Sequence, residues 1–190
     1  MKLKKIKRMV AVGTAILMTL SLAGCGIGSD SVKLGAAGVG GGYYAFSNAF
    51  AQIASSENED LDFEVKATAG STANIRLLSN GYVDMAIAQA DLVDAAYNGT
   101  GATDKKRYRG YSAVASLYTE ACQIVVRSDS GIDSLDDLQG KKISVGEEES
   151  GTQRNAEQIL KMTGLVESLV DTVNLDYVDA ANELKSVQID

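Results

Sequence analysis

The chain has 190 residues, 45% of them hydrophobic, with 18 basic and 25 acidic residues and a formal net charge of −7. That length can bury a real core and suits one domain or two small ones. It contains no histidine, which excludes Ser-His-Asp and Cys-His catalysis and His-ligated metals, and its acidic balance offers none of the clustered basic surface that nucleic acid requires.

The first 24 residues stand apart. They hold five basic residues (Lys2, Lys4, Lys5, Lys7 and Arg8) and no acid, so the remainder carries 13 basic against 25 acidic residues, a net charge of −12. A basic start followed by the apolar run 9–20 reads as a targeting segment, too short for a comfortable transmembrane helix. It ends in Leu22-Ala23-Gly24-Cys25. Small residues before a cysteine resemble a bacterial lipoprotein signal, in which Cys25 becomes the lipidated first residue of an extracytoplasmic, membrane-anchored protein. The alternative is an ordinary secretory signal with a chance cysteine. Lipidation of Cys25 leaves Cys122 without a disulfide partner. Its place in the apolar run 121–126 predicts a buried structural thiol.

After a tether, 25–31, the chain alternates. Residues 32–37 read as a strand and 43–55 as a helix; between them lies GVGGGYY, residues 38–44. Four glycines in five residues cannot pack a core. They suit backbone that approaches a ligand closely, although a flexible loop is an equal reading of the motif alone. Residues 62–67 alternate like a strand. A helix follows over 71–78, with Ser71 as its cap and Asn80-Gly81 as its stop. Next come a strand at 83–88, a helix at 91–97 ended by Asn98-Gly99, and a polar, basic loop at 100–109. Residues 112–117 and 121–126 read as two further strands. With no proline in the chain, the turns fall to Gly, Asn, Asp and Ser.

A second region begins near residue 128. Ser134-Leu135-Asp136-Asp137 resembles a capping box. Residues 142–145 predict a strand, and Ser150-Gly151-Thr152 opens a helix that stops at Gly164. A strand at 173–178 and a helix at 179–187 complete it. Alternation at this spacing predicts βαβ units, mostly parallel doubly wound sheets and two α/β lobes, 32–127 and 128–190. Two strands and three helices are thin for an independent lobe, so the second lobe is expected to be incomplete in this chain.

Four strand-to-helix turns therefore lie at carboxyl strand ends, at 38–42, 69–71, 89–91 and 146–152. That is the edge where open α/β sheets bind ligands. A small polar ligand between two lobes is the function this suits. For each of Ser71, Asp91, Ser150 and Thr152 taken singly, a helix cap is the simpler reading.

Three stretches now carry a resemblance: GVGGGYY, GSTANIRLLSNGYVDMAIAQAD and SLDDLQGKKISVGEEESGTQRNAEQIL. In order, they resemble the extracytoplasmic solute-binding proteins of the TAXI branch of TRAP transporters over residues 32–190. The resemblance implies a two-lobed type II periplasmic-binding-protein fold, a small carboxylate or amino acid ligand such as glutamate, and an integral-membrane TRAP permease partner. It implies no cofactor and no metal. By motif it assigns ligand binding to Gly41, Tyr43, Tyr44, Ser71, Asn74, Gln89, Asp91, Ser150, Gly151 and Thr152. Family members are considerably longer than this chain, in keeping with an incomplete second lobe.

Three departures from the family pattern stand out. Gly42 replaces a favoured threonine, Ala45 a frequent proline, and Glu149 a glycine within the run Glu147-Glu148-Glu149. The glutamates are expected to point to solvent, or else to meet a cationic group of the ligand. An enzyme reading has little support, since GVGGGYY lacks the third glycine of a dinucleotide fingerprint and the GK[ST] of a P-loop. A receptor module for a membrane signalling protein is the alternative, because the same lobes could serve both roles. A surface or adhesive role is open to any lipoprotein.

Overall fold

The computed structural model describes residues 31–101, 105–166 and 168–190. The targeting segment, Cys25 and most of the tether lie outside the described residues.

A three-stranded parallel sheet forms first. Strand β1 (Val32–Gly35) is central, flanked by β2 (Phe63–Lys66) and β3 (Met85–Ala86). The register sets Val32 beside Phe63 and Leu34 beside both Val65 and Met85. Helix α1 (Gly42–Glu57) joins β1 to β2, α2 (Ser71–Ser79) joins β2 to β3, and α3 (Ala90–Asn98) follows β3. Ser47 and Ala51, one turn apart on α1, are buried. Phe50 of the same helix meets Phe63 of β2 edge-on, with ring centroids 5.4 Å apart. Asn80 ends α2, and Gly99 ends α3 in the left-handed conformation, as the Asn-Gly pairs predicted.

Asn74 locks this sheet together. It is fully buried, and its Nδ2 donates to the carbonyls of Gly35 (3.3 Å), Ala36 (2.5 Å) and Ile87 (2.8 Å) while Oδ1 accepts from Thr68 Oγ1 (2.7 Å). The carboxyl ends of β1 and β3 are thereby tied to the first turn of α2. A polar side chain at such a depth is stable only because every group has a partner.

The second sheet pairs β4 (Lys142–Ser144) with β5 (Asp171–Val173), again parallel, with Lys142 beside Asp171. Helix α4 (Gly151–Met162) connects them and α5 (Tyr177–Lys185) follows. Leu138, Val145, Leu160, Leu165 and Val170 make its core. The Ser134 motif holds: Asp137 Oδ2 accepts from Ser134 N and Oγ, both at 2.8 Å, ahead of a single 3₁₀ turn, Leu135–Leu138.

Three expectations are corrected. Residues 112–117 and 121–126 form no strand among the described residues; Val114 and Val125 are 85% and 69% exposed. Alternating apolar residues give a strand tendency, but a strand exists only where a neighbour completes its ladder, and none of the described strands lies alongside. Cys122 is accordingly exposed rather than buried. The last strand ends at Val173 and not at residue 178. Asp176 caps α5 instead, its Oδ1 accepting from Asp179 N at 2.7 Å, which draws Tyr177 and Val178 into the helix.

Candidate functional site

The four strand-to-helix turns meet. Gly70, just ahead of α2, packs on Ser150, just ahead of α4: a Cβ on Gly70 would lie 3.5 Å from Ser150 Cα. Ala73 N, in the first turn of α2, donates to Glu149 O at 3.2 Å. A carbonyl from the second sheet's turn thus satisfies a donor that the helix start would otherwise leave free.

Ser71 was expected to cap α2. Gly70 holds that position, and the buried Ser71 hydroxyl instead accepts from Gln89 N at 3.1 Å. Ser150 does cap its helix, accepting from Gln153 N at 2.9 Å. Gln89 then crosses to α4. Its amide lies so close to Gly151 that a Cβ there would come within 2.5 Å of Oε1 and 2.6 Å of Cδ, so this contact exists only because position 151 is glycine. Gln89 Nε2 donates to Glu120 Oε2 at 2.9 Å. The Tyr43 hydroxyl is shared with Glu120 and Ser71. Burial, reinforced by the bond to Glu120, holds that phenol well above its usual range, so it is a neutral donor at physiological pH.

Gly41 and Thr152 meet a different residue, Tyr177. Its ring would come within 3.3 Å of a Cβ on Gly41, and its hydroxyl bonds Thr152 Oγ1 at 2.8 Å. Asp91 is exposed on the first turn of α3, and Tyr44, part-buried on α1, offers its backbone carbonyl to Asn48. Asn74 sits behind the cluster with its polar atoms used by backbone and Thr68, which makes it a scaffold residue rather than a contact.

The glutamate run does not simply face water. Glu148 is exposed, but Glu149 Oε2 pairs with Arg76 at 2.6 Å, and Glu147 Oε2 would lie 2.9 Å from a Cβ on Gly38. Burial, then the neighbouring Asp176, raises the Glu147 carboxyl above its ordinary range. Glu149 has φ +63°, a left-handed conformation that suits glycine. This explains the departure at position 149: the residue bears backbone strain and gains an ion pair. Both side chains are 40% exposed, so the pair contributes less than about 1 kcal/mol, against strain of roughly 1–2 kcal/mol. Glu149→Gly is therefore expected to change stability by under about 1 kcal/mol, and to add about 1 kcal/mol in an Arg76→Ala background where the ion pair is already gone. Urea unfolding of the single and double variants measures both; a loss in the double variant would contradict the strain.

Glu120, Tyr177 and the Arg76–Glu149 pair were not foreseen from the sequence. Glu120 lies between two runs read as strands, with no motif to flag it. A cavity of about 340 Å³ opens behind Thr152 and Tyr177. Its walls, among them Ile124, Val145, Ile159, Leu160 and Leu184, are mostly apolar, so it extends the core of the second sheet and does not suit a polar ligand.

Residues 34–190 match the NMT1-like family. The chain belongs to that family. Two solved structures share the fold of this NMT1-like chain. The alkanesulfonate-binding protein SsuA from Xanthomonas axonopodis pv. citri, bound to MOPS, superposes with a TM-score of 0.53 at 16% identity, covering 84% of this chain and 52% of its own. The periplasmic aliphatic sulphonate binding protein SsuA from Escherichia coli gives 0.50 at 15%, with the same coverage. The NMT1-like chain therefore has the α/β fold with parallel sheets of type II periplasmic binding proteins, and spans about half the length of these two structures.

Proposed function

We propose that this protein is an extracytoplasmic solute-binding lipoprotein. It captures a small carboxylate or amino acid, glutamate-like in size, where its two sheets meet, and delivers it to a TRAP-type membrane permease in the manner of the TAXI branch. The observation that carries this reading is the convergence of Tyr43, Ser71, Gln89, Ser150 and Gly151 from both sheets on the starts of α2 and α4. Each helix start favours a negative group by roughly 0.3–1 kcal/mol, more where water is excluded.

A thermal-shift screen of the full chain against amino acids and carboxylates tests the reading. A ligand at a hundred times its Kd adds about 2.7 kcal/mol, which for a chain of this size raises Tm by roughly 5–10 °C. No shift with any member of either class would sink it.

Anchoring rests on Leu22-Ala23-Gly24-Cys25. One acyl chain holds a protein to a membrane only marginally, so stable attachment takes the several chains of a bacterial lipoprotein. Cys25→Ala is expected to move the protein from the membrane to the soluble fraction on cell fractionation. Continued membrane association of that variant would remove the lipoprotein from the proposal.

A further inference from the structure

The first sheet carries its turns on the carboxyl edge, and a different chemistry gathers on the amino edge. The strands are parallel, so α2 and α3, which start at the carboxyl edge, end at the amino edge, where the chain enters the fold at Val32. The loop after α3 is fastened there. Ser79 Oγ, at the end of α2, donates to Arg109 O at 2.7 Å and accepts from Arg109 N at 3.2 Å, and Tyr108 N donates to Ala96 O at 2.9 Å. Four of the five residues 105–109 are exposed cations: Lys105, Lys106, Arg107 and Arg109. Past residue 24 the chain has 13 basic residues and a net charge of −12, so composition does not account for this concentration.

Two of the four have local work. Arg107 Nε donates to Asn98 O at 3.2 Å, at the end of α3, and Arg109 lies over the Tyr97 ring, its Cζ 3.5 Å from the ring centre. Neither contact consumes the charge. Among the described residues no carboxylate pairs with Lys105, Arg107 or Arg109. Tyr82, between α2 and β3, is 66% exposed at the same edge, and Tyr97 is 45% exposed. Cations beside exposed tyrosines are the residue set of a membrane surface, where the ring meets the headgroup layer. The acids of this edge, Glu57, Glu59, Asp60 and Asp62, belong to the passage from α1 to β2, on the other side of β1 from β3.

We propose that the 105–109 loop docks this edge on a bilayer with anionic headgroups. This rests on the lipoprotein part of the solute-binding reading, in which Cys25, seven residues ahead of Val32, holds the chain to a membrane. Each cation at such a surface contributes about fivefold in partitioning, too little for four of them to hold an unanchored protein firmly. A short tether changes this, because it keeps the loop at an effective concentration of the order of millimolar. The acidic remainder of the chain is repelled by the same surface, which selects this orientation; screening confines both effects to about 10 Å. The docked edge leaves the carboxyl turns of the first sheet facing away from the bilayer and open to solute.

Sedimentation with vesicles tests the docking apart from the anchor. Residues 31–190 form a compact unit of their own, so the chain from residue 25, with Cys25→Ala, measures the loop without a lipid and without the five cations of the targeting segment. At millimolar lipid and low salt it is expected to bind vesicles of phosphatidylglycerol and phosphatidylcholine in equal parts, and to bind phosphatidylcholine alone about tenfold more weakly or less. Lys105→Gln with Lys106→Gln should weaken the anionic binding by about tenfold or more, and Lys105→Arg with Lys106→Arg should retain it, with circular dichroism confirming the fold. Equal binding to both vesicles, binding to neither, or binding that the glutamine pair leaves intact overturns the docking. Cell fractionation of Cys25→Ala and the solute screen read the anchor and the ligand separately, so failure here is not failure of either.

Discussion

Asn74→Ala is expected to cost about 3 kcal/mol of folding stability and to lower Tm by roughly 6–12 °C. The side chain is fully buried, and removing it strips a donor from the carbonyls of Gly35, Ala36 and Ile87 and a partner from Thr68. Unsatisfied buried groups cost about 1–3 kcal/mol each, moderated where a carbonyl keeps another bond. Asn74→Asp has the same shape but sets a carboxylate oxygen against three carbonyls, so it should cost at least as much. Thermal unfolding of both variants checks this, and tolerance of aspartate would mean that the tie between β1, β3 and α2 is not what holds the first sheet. The same variants separate scaffold from contact. A residue that only positions the turns should lower stability far more than it changes ligand selectivity.

Gly146→Ala is expected to be comparably damaging, at about 2–4 kcal/mol, for a different reason. Gly146 has φ +94°, and a Cβ there would lie 2.8 Å from both Cβ and Cγ2 of Thr152. Strain and overlap coincide, and neither neighbour can yield easily: the Gly146 carbonyl accepts from Asn174 Nδ2 at 2.7 Å, and Thr152 is bonded to Tyr177. Because the clash displaces the first turn of α4, ligand binding should fall along with stability. Urea unfolding and titration with a bound amino acid read the two effects separately. Unchanged binding in a destabilised variant would detach the α4 turn from the site.

Much of this architecture is legible in the sequence, and the reasons are local. Asn80-Gly81 and Asn98-Gly99 end helices because glycine and asparagine tolerate what the last turn needs, and that requirement does not depend on distant partners. The meeting of the four turns followed from their common position at carboxyl strand ends. What local chemistry does not determine was misread. Residues 112–126 have the apolar pattern of strands but no ladder partner among the described residues, and no periodicity records whether a neighbour exists. The end of β5 was misplaced because Leu175, Tyr177 and Val178 extend an apolar run, whereas Asp176 offers the backbone a cap that competes with the ladder. Glu120 enters the cluster through contacts with Tyr43 and Gln89, 77 and 31 residues away in sequence. Long-range placement of that kind leaves no mark near residue 120. At position 149 glutamate stands where the family pattern has glycine, and the left-handed backbone there supplies the physical reason for that pattern.

Hydrogen exchange of the full chain, with and without saturating L-glutamate, tests most directly whether the four turns make one site. Exchange is expected to slow together in residues 38–44, 70–74, 87–91 and 149–153, with the last turns of α4 and α5 unchanged. Slowing confined to one turn, slowing centred on residues 122–126 beside the apolar cavity, or none anywhere would contradict it.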